Sequence, residues 1–354
     1  VTAVVTVSAL ALAGCSSQVY GPDEDEDDGE SVVGVAAEPE DSPREGDPVG
    51  SVAEGDEVTD VVRAGLGTED TVPLATLQQG SLSIGSMQEI ASGDADSTDL
   101  GEDCSTISGA VDGVVLGCGS TVRLFDSDGE ETGSVDAPGT VTSAAQSPEG
   151  TLVVTVDDSD RVYWIDSDGE EIRSESMTDT ADGVTLVGNT RNSDDDGEPQ
   201  WRAALTDAAQ SSVTDLDIED HSRVAALRIG QGVGTVSAGI DPDGVMVASD
   251  ARQGQALVYT MNDVVRHSQS VPTGDGTWAV LWDSGRQIMW VSTTSDNTLT
   301  GYDLSSGTPE EIGEVSTSAN VRHVIDDGSG DLLLVTADGS RELIPASELP
   351  GKDS

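Results

Sequence analysis

The sequence predicts an all-β fold organised as a β-propeller, and three observations predict it. Helical periodicity is hard to find, whereas strand-like alternation with β-branched residues recurs along most of the chain. Strong apolar strands follow Gly-bearing turns, at Pro148-Glu149-Gly150, Pro242-Asp243-Gly244, Ser284-Gly285 and Gly328-Ser329-Gly330. The strands come in sets of four with a period of about forty residues, which is the mark of propeller blades.

One register is visible at residues 151–156 and 161–166. It recurs at 245–249 with 256–259, at 287–291 with 299–303, and again at 331–335. A single four-stranded blade cannot bury both of its faces, so the blades must stack around an axis. Six blades are counted, at 104–138, 139–180, 181–231, 232–273, 274–318 and 319–347. The last shows three clear strands. Residues 80–92 are expected to supply its outer strand and close the ring, which removes the exposed edges of an open sheet. The count becomes seven if residues 57–79 build a further blade.

Ahead of this domain the chain has a different character. Residues 1–14 are apolar or small and carry no charge, which suits the apolar core of a secretory signal. The stretch is shorter than the roughly 20 apolar residues a bilayer span needs. It ends in Leu12-Ala13-Gly14-Cys15, followed by Ser16-Ser17. This junction resembles the lipobox of bacterial lipoproteins of the actinobacterial type. The resemblance implies cleavage before Cys15, lipidation of that cysteine (palmitate among the chains) and retention on the outer face of the cell membrane.

Residues 16–70 are rich in Asp, Glu, Gly, Pro, Ser and Val, with an unbroken acidic run over 23–28. Like charges with few large apolar neighbours cannot be packed, so a disordered tether is expected, with a root-mean-square span of roughly 40 Å. An acidic tail that binds cations or a basic partner is the competing reading. The expected organisation is therefore a signal segment at 1–14, lipidated Cys15 with an acidic tether to 70, a propeller over 71–347 and a tail at 348–354.

Acidity is not confined to the tether. The chain has 68 acidic and 15 basic residues, a net charge of −53. Residues 16–70 hold 18 acidic residues and two arginines, which leaves 50 acidic and 13 basic residues to the stretch 71–354. Lys352 is the only lysine. Such a field disfavours nucleic acid and anionic lipid heads, so the membrane is met through the lipid anchor alone. It favours a soluble monomer and attracts cations or basic partners. Asp-rich, Lys-poor surfaces also resemble those of salt-adapted organisms.

Besides Cys15 the chain holds Cys104 and Cys118, an even pair in an oxidising compartment. The turn signal Asp112-Gly113 between them would set the two cysteines opposite each other on a hairpin, where a disulfide is expected. Their spacing is not that of a Cys-x-x-Cys redox pair.

The turn before the outer strand reads Tyr302-Asp303-Leu304-Ser305-Ser306-Gly307, with shortened relatives at Phe125-Asp126-Ser127-Asp128-Gly129 and Ile165-Asp166-Ser167-Asp168-Gly169. It is similar to the repeat of quinoprotein-like and YVTN-type bacterial propellers, over most of residues 104–347. Thr273-Gly274 followed by Trp278 resembles the Trp-docking repeat of quinoproteins. It occurs once, and so does not argue for a quinone cofactor.

Trp164, Trp201, Trp278, Trp282 and Trp290 all fall in expected strands, with Trp278, Val280 and Trp282 on one face. They are expected to be inter-blade core; an exposed cluster of them could stack on sugar. Of the histidines, His221 is placed in a turn, His267 in an outer strand and His323 in an inner strand. Three scattered histidines do not make a zinc site, and the familiar hydrolase, metalloprotease and P-loop motifs are missing from the sequence. Inner-strand polar residues can face the central channel, which makes Arg322, His323, Asp326 and Asp327 the channel-mouth candidates.

The sharpest chemical pattern is Asn192-Ser193-Asp194-Asp195-Asp196-Gly197. Oxygen side chains of Asn192, Asp194 and Asp196 before a turn glycine could wrap calcium, which takes six to eight hard oxygens. The closing acidic ligand is missing, and Gln200 stands where a carboxylate is often placed. A solvated acidic loop is the plain reading. The whole points to a lipid-anchored propeller that serves as a binding platform for an envelope protein or a cell-wall component. The alternatives are a channel-mouth hydrolase or lyase acting on glycan or a small ester, and a passive acidic surface protein.

Overall fold

Residues 34–66, 71–101, 104–177, 181–193 and 197–352 are described by a computed structural model of the chain. Cys15, the segment before it and residues 16–33 lie outside the described residues. So do Asp194, Asp195 and Asp196.

Seven sheets form seven blades of four antiparallel strands each, one of them extended by the short parallel strand Ile240–Asp241. Blade 1 consists of Asp60–Arg63, Leu74–Gln78, Ser81–Gly85 and Asp96–Asp99; blade 2 of Cys104–Ala110, Gly113–Cys118, Thr121–Asp126 and Glu131–Asp136. Blade 3 holds Val141–Gln146, Leu152–Val156, Arg161–Ile165 and Glu171–Ser176, and blade 4 holds Gly183–Asn189, Gln200–Asp207, Ser212–Asp217 and Ser222–Arg228. Blade 5 runs Val233–Ala238, Val245–Asp250, Gln255–Thr260 and Arg266–Pro272; blade 6 runs Thr277–Asp283, Ile288–Thr293, Thr298–Asp303 and Glu310–Ser316. Blade 7 takes Val321–Asp326, Leu332–Thr336 and Arg341–Ile344 from the end of the chain and Ser51–Ala53 from its beginning. The first strands of successive blades touch one another in a ring, and those of blades 7 and 1 complete it.

The ring thus has seven blades, the larger of the two expected counts. The extra blade comes from residues 60–99, a region that includes the last part of the expected tether. Two further expectations are corrected. The tether does not run to residue 70, because the chain is built into the propeller from residue 34. Nor do residues 80–92 close blade 7. They form a strand of blade 1 and the short helix Met87–Ser92, while the closing strand is Ser51–Ala53, in register Ser51↔Leu343 and Ala53↔Arg341.

That helix is locally encoded. The Ser86 hydroxyl accepts from the Glu89 N–H, the Glu89 carboxylate accepts from the Ser86 N–H, and Gly93 caps the other end at φ 78°. Met87, Ile90 and Ala91 are buried on its inner face, against blade 7.

The core is divided among the blade interfaces. Trp164 and Trp201 meet between blades 3 and 4. Met246 and Tyr259 pack with Val187 and Ala204 between blades 4 and 5. Val247, Val258, Trp282 and Met289 pack between blades 5 and 6, and Trp290, Leu299 and Leu334 between blades 6 and 7. Leu74, Met87 and Ile90 join Leu333 and Val335 between blades 7 and 1. The tryptophans are therefore inter-blade core, with one change. A bulge lies between Thr277 and Val280, and Trp278 beside it is half-buried, its ring against Gly234 of blade 5 and at the edge of the cluster between blades 6 and 7, while Val280 and Trp282 pack toward blade 5.

The repeated Asp at the end of the third strand is a turn-former. Asp126 Oδ1 accepts from the N–H of Asp128 (3.0 Å) and Glu130 (2.9 Å), and Asp166 does the same for Asp168 and Glu170. Asp303 accepts from the Ser305 N–H and also holds Lys352 at 2.7 Å, which docks the C-terminal tail on blade 6. Cys104 and Cys118 are cross-strand partners in blade 2 and are disulfide-bonded. The hairpin between them turns at Gly113, where φ is +148° and a Cβ would run into the Phe125 carbonyl oxygen.

Candidate functional site

The seven first strands surround a central cavity of about 590 Å³. Its wall is largely uncharged: Ser105, Thr106, Ser108, Thr185, Thr235 and Ser237 among small and apolar side chains. The hydroxyls also satisfy strand edges that have no ladder partner. Thr235 Oγ1 accepts from the Val280 N–H and donates to the Trp278 carbonyl, both at 3.0 Å, and Ser237 Oγ accepts from the Trp282 N–H. Side chains thereby join blades 5 and 6 where backbone pairing cannot.

Besides Asp182 and Arg322, charge enters the wall in two rungs between blades 7 and 1. His323 Nδ1 lies 3.3 Å from Asp60 Oδ1, and Asp326 Oδ1 lies 3.5 Å from Arg63 Nε. Three residues separate the rungs along each strand, which spaces them by about 10 Å. His323 and Asp326 consequently do not share a site. Arg322 points to neither rung; it pairs with Asp41 at 3.1 Å.

Asp41 belongs to a strap, residues 34–50, along the channel end where the first strands begin. Its backbone N–H groups at Gly34, Ala36 and Ala37 donate to the carbonyls of Gln231, Ala208 and Val233. Further on, Ser42 N–H donates to Asn320 Oδ1 (2.7 Å), Asn297 Nδ2 donates to the Arg44 carbonyl (3.1 Å), and Val49 N–H donates to the Ser316 carbonyl (3.2 Å). Ala36 contributes to the cavity wall.

The opposite end opens into a second cavity of about 450 Å³. One wall is apolar, with Leu66, Leu186, Trp201 and Ile240. The other is charged, with Arg63, Arg286, Asp283 and Asp326. Asp283 takes the Arg286 backbone N–H at 2.9 Å and pairs with its guanidinium, which rests 5.5 Å from the Trp290 ring centre. Burial pushes the Asp326 carboxyl up to about 6, opposed by the Arg63 charge; Asp283 adds to the rise and Arg286 works against it. Beside this mouth the Asp241 carboxylate accepts from the N–H of Asp243 and Val245 and from the Trp282 indole N–H (2.9 Å). Ile240–Asp241 also pairs in parallel with the end of Gly183–Asn189, so this one turn ties blades 4, 5 and 6.

Of the four channel-mouth candidates, His323 and Asp326 face the channel at different depths and Arg322 holds the strap. Asp327 is buried in the following turn, where its Oδ1 accepts from the Ser329 N–H and its carbonyl from the Val72 N–H. Sequence reading missed Arg63, Asp283, Arg286 and the placement of Trp201. Asp194 and Asp196 of the calcium pattern lie outside the described residues. Asn192 donates to Gln200 Oε1 at 3.2 Å and to the Asn262 carbonyl, tying its loop to blade 5. Among the described residues no three His, Cys, Asp or Glu side chains gather to hold a metal ion. No protein-family model matches the chain, and no curated protein matches it in sequence.

Proposed function

We propose that this protein is a lipid-anchored binding platform of the cell envelope, tethered through Cys15 and docking an envelope protein or wall component at the channel mouth formed by Arg63, Asp283, Arg286 and Asp326. The observation that carries the reading is the inequality of the two channel ends: the strap occupies one, and an amphipathic cavity of about 450 Å³ lies at the other. A few convergent polar groups against an apolar wall are the ordinary composition of a binding pocket. The separation of His323 from Asp326 weighs against the alternative of a hydrolase built on those two side chains, as does the occupation of Asp327 within its turn.

The test is photo-cross-linking in the native envelope from Ser284 and Ser329, which border the mouth, compared with Asp296 on the strap side. Capture of one component from the mouth positions alone is expected. Equal capture from both faces, or none from the mouth, refutes the docking surface. Release of a Cys15→Ala variant from the membrane fraction is expected on the same reading, and its unchanged retention would refute the anchor.

A further inference from the structure

We propose that the mouth between Arg63, Asp283, Arg286, Asp326 and Trp201 binds an uncharged sugar ring. The proposal rests on the binding-platform reading and names the chemistry its mouth recognises.

The charge balance of the wall comes first. Two guanidinium groups face two carboxylates. Guanidinium only donates hydrogen bonds and carboxylate only accepts them, so a ligand that serves both needs groups that do each. Hydroxyls do. An anion would meet Asp283 and Asp326 inside a chain of net charge −53, and a cation would meet Arg63 and Arg286. The facing wall of Leu66, Leu186, Trp201 and Ile240 suits the C–H face of a ring.

Two donors add to this. Arg286 Nη2 and the Trp201 indole N–H, both shielded from water, have no acceptor among the described residues, and Trp201 is only 6% exposed. A buried donor left unpaired is costly, and a ligand oxygen that reaches it after a small shift of either side chain recovers that cost. Arg286 is already held in place by Asp283 and the Trp290 ring, so little ordering is needed on binding. The cavity, about 450 Å³, falls within the range of small-ligand sites, roughly 300–1,000 Å³.

The experiment is saturation-transfer NMR and calorimetry on the full chain. Glucose, galactose, mannose and N-acetylglucosamine serve as uncharged probes, with glucuronate and glucosamine as charged counterparts. At least one uncharged sugar should bind, and more tightly than the charged sugars. Trp201→Phe, which removes the indole N–H, and Arg286→Gln should each weaken that binding by about 10- to 100-fold, as expected for a lost hydrogen bond to a buried or charged group. Thermal melts establish that each variant is folded. The comparison of charged and uncharged sugars needs no variant, so it holds even if a substitution unfolds the chain.

Absence of binding by every uncharged sugar overturns the proposal. So does tighter binding of glucuronate than of glucose, or unchanged binding by both folded variants. The two readings fail separately. Cross-linked capture at the mouth without sugar binding removes the sugar and leaves the platform. Release of cleaved sugar from bound oligosaccharide keeps the pocket and removes the platform. Retention on insoluble envelope glycan, competed by the free sugar, identifies a chain-bound sugar as the source; no retention identifies a free one.

Discussion

Replacing Asp326 by Asn should stabilise the protein at neutral pH, and the size of the effect comes from its surroundings. The carboxyl is almost fully buried, and its pKa rises from 3.8 to about 6. A rise of roughly two units corresponds to about 3 kcal/mol between the two protonation states. The folded state holds this proton more tightly than the unfolded chain. Between pH 4 and pH 6 it therefore binds more protons, and stability falls as pH rises through that window. Above it the penalty is complete. The neutral amide of the Asp326→Asn variant carries no such penalty, so its advantage should be near zero at pH 4 and grow to at most about 3 kcal/mol by pH 7.5. The attraction of Arg63 is already contained in this figure, because it is one of the influences that hold the rise to about 6. The assay is urea denaturation of both proteins from pH 4 to pH 7.5. Taking the difference cancels the general self-repulsion of so acidic a chain. A variant less stable at pH 7.5, by an amount that does not change with pH, would show that the pair with Arg63 outweighs burial and refute the reasoning.

Three other outcomes rest on particular contacts. Arg202 and Asp215 form a buried pair at 2.7 Å (3% and 0% exposed), and Asp215 also accepts from the Val265 N–H of blade 5; Arg202→Ala strands that carboxylate and should cost about 3–5 kcal/mol in a denaturant titration, with much of it regained by an apolar replacement of both residues. Removing the disulfide by Cys104→Ser with Cys118→Ser, a separation of 14 residues, should cost up to about 3 kcal/mol and leave the binding behaviour of the distant mouth unchanged. A chain beginning at residue 34 should melt as the full chain does, whereas one beginning at residue 55, which lacks Ser51–Ala53, should melt lower and more broadly; equal melts would mean that the closing strand contributes nothing.

Blades 2–7 were legible because each is a run of hairpins, so that its apolar period, its Gly and Asp turns and most of its strand pairs are local in sequence. Blade 1 was harder. Its first strand, Asp60-Val61-Val62-Arg63, is four residues long and lies within acidic, low-complexity surroundings. The capping box of Ser86 and Glu89 was readable, but the residues around it also fitted a strand. Ser51-Val52-Ala53 could not be recognised at all: an outermost, exposed strand needs no apolar pattern, and its partner lies some 290 residues away. The candidate mouth was hidden for the same reason. Arg63, Asp326 and Arg286 meet because the ring closes, and no spacing in the sequence reports that. Their separate neighbourhoods read as an acidic tether, an inner strand and an ordinary turn.

The pairing of Ser51–Ala53 with Arg341–Ile344 also sets the order in which the molecule can assemble. Bringing together two points separated by about 290 residues costs roughly 5 kcal/mol in loop entropy. Three residues of exposed strand cannot offset that alone. The pairing can form only after the packed interfaces have drawn blades 7 and 1 into register, through Leu74, Met87, Leu333 and Val335. During synthesis the early blades must therefore wait, with open edges, for the last thirty or so residues to appear. The dense like charge on every blade has a use in that interval, since it keeps half-finished rings of neighbouring molecules apart.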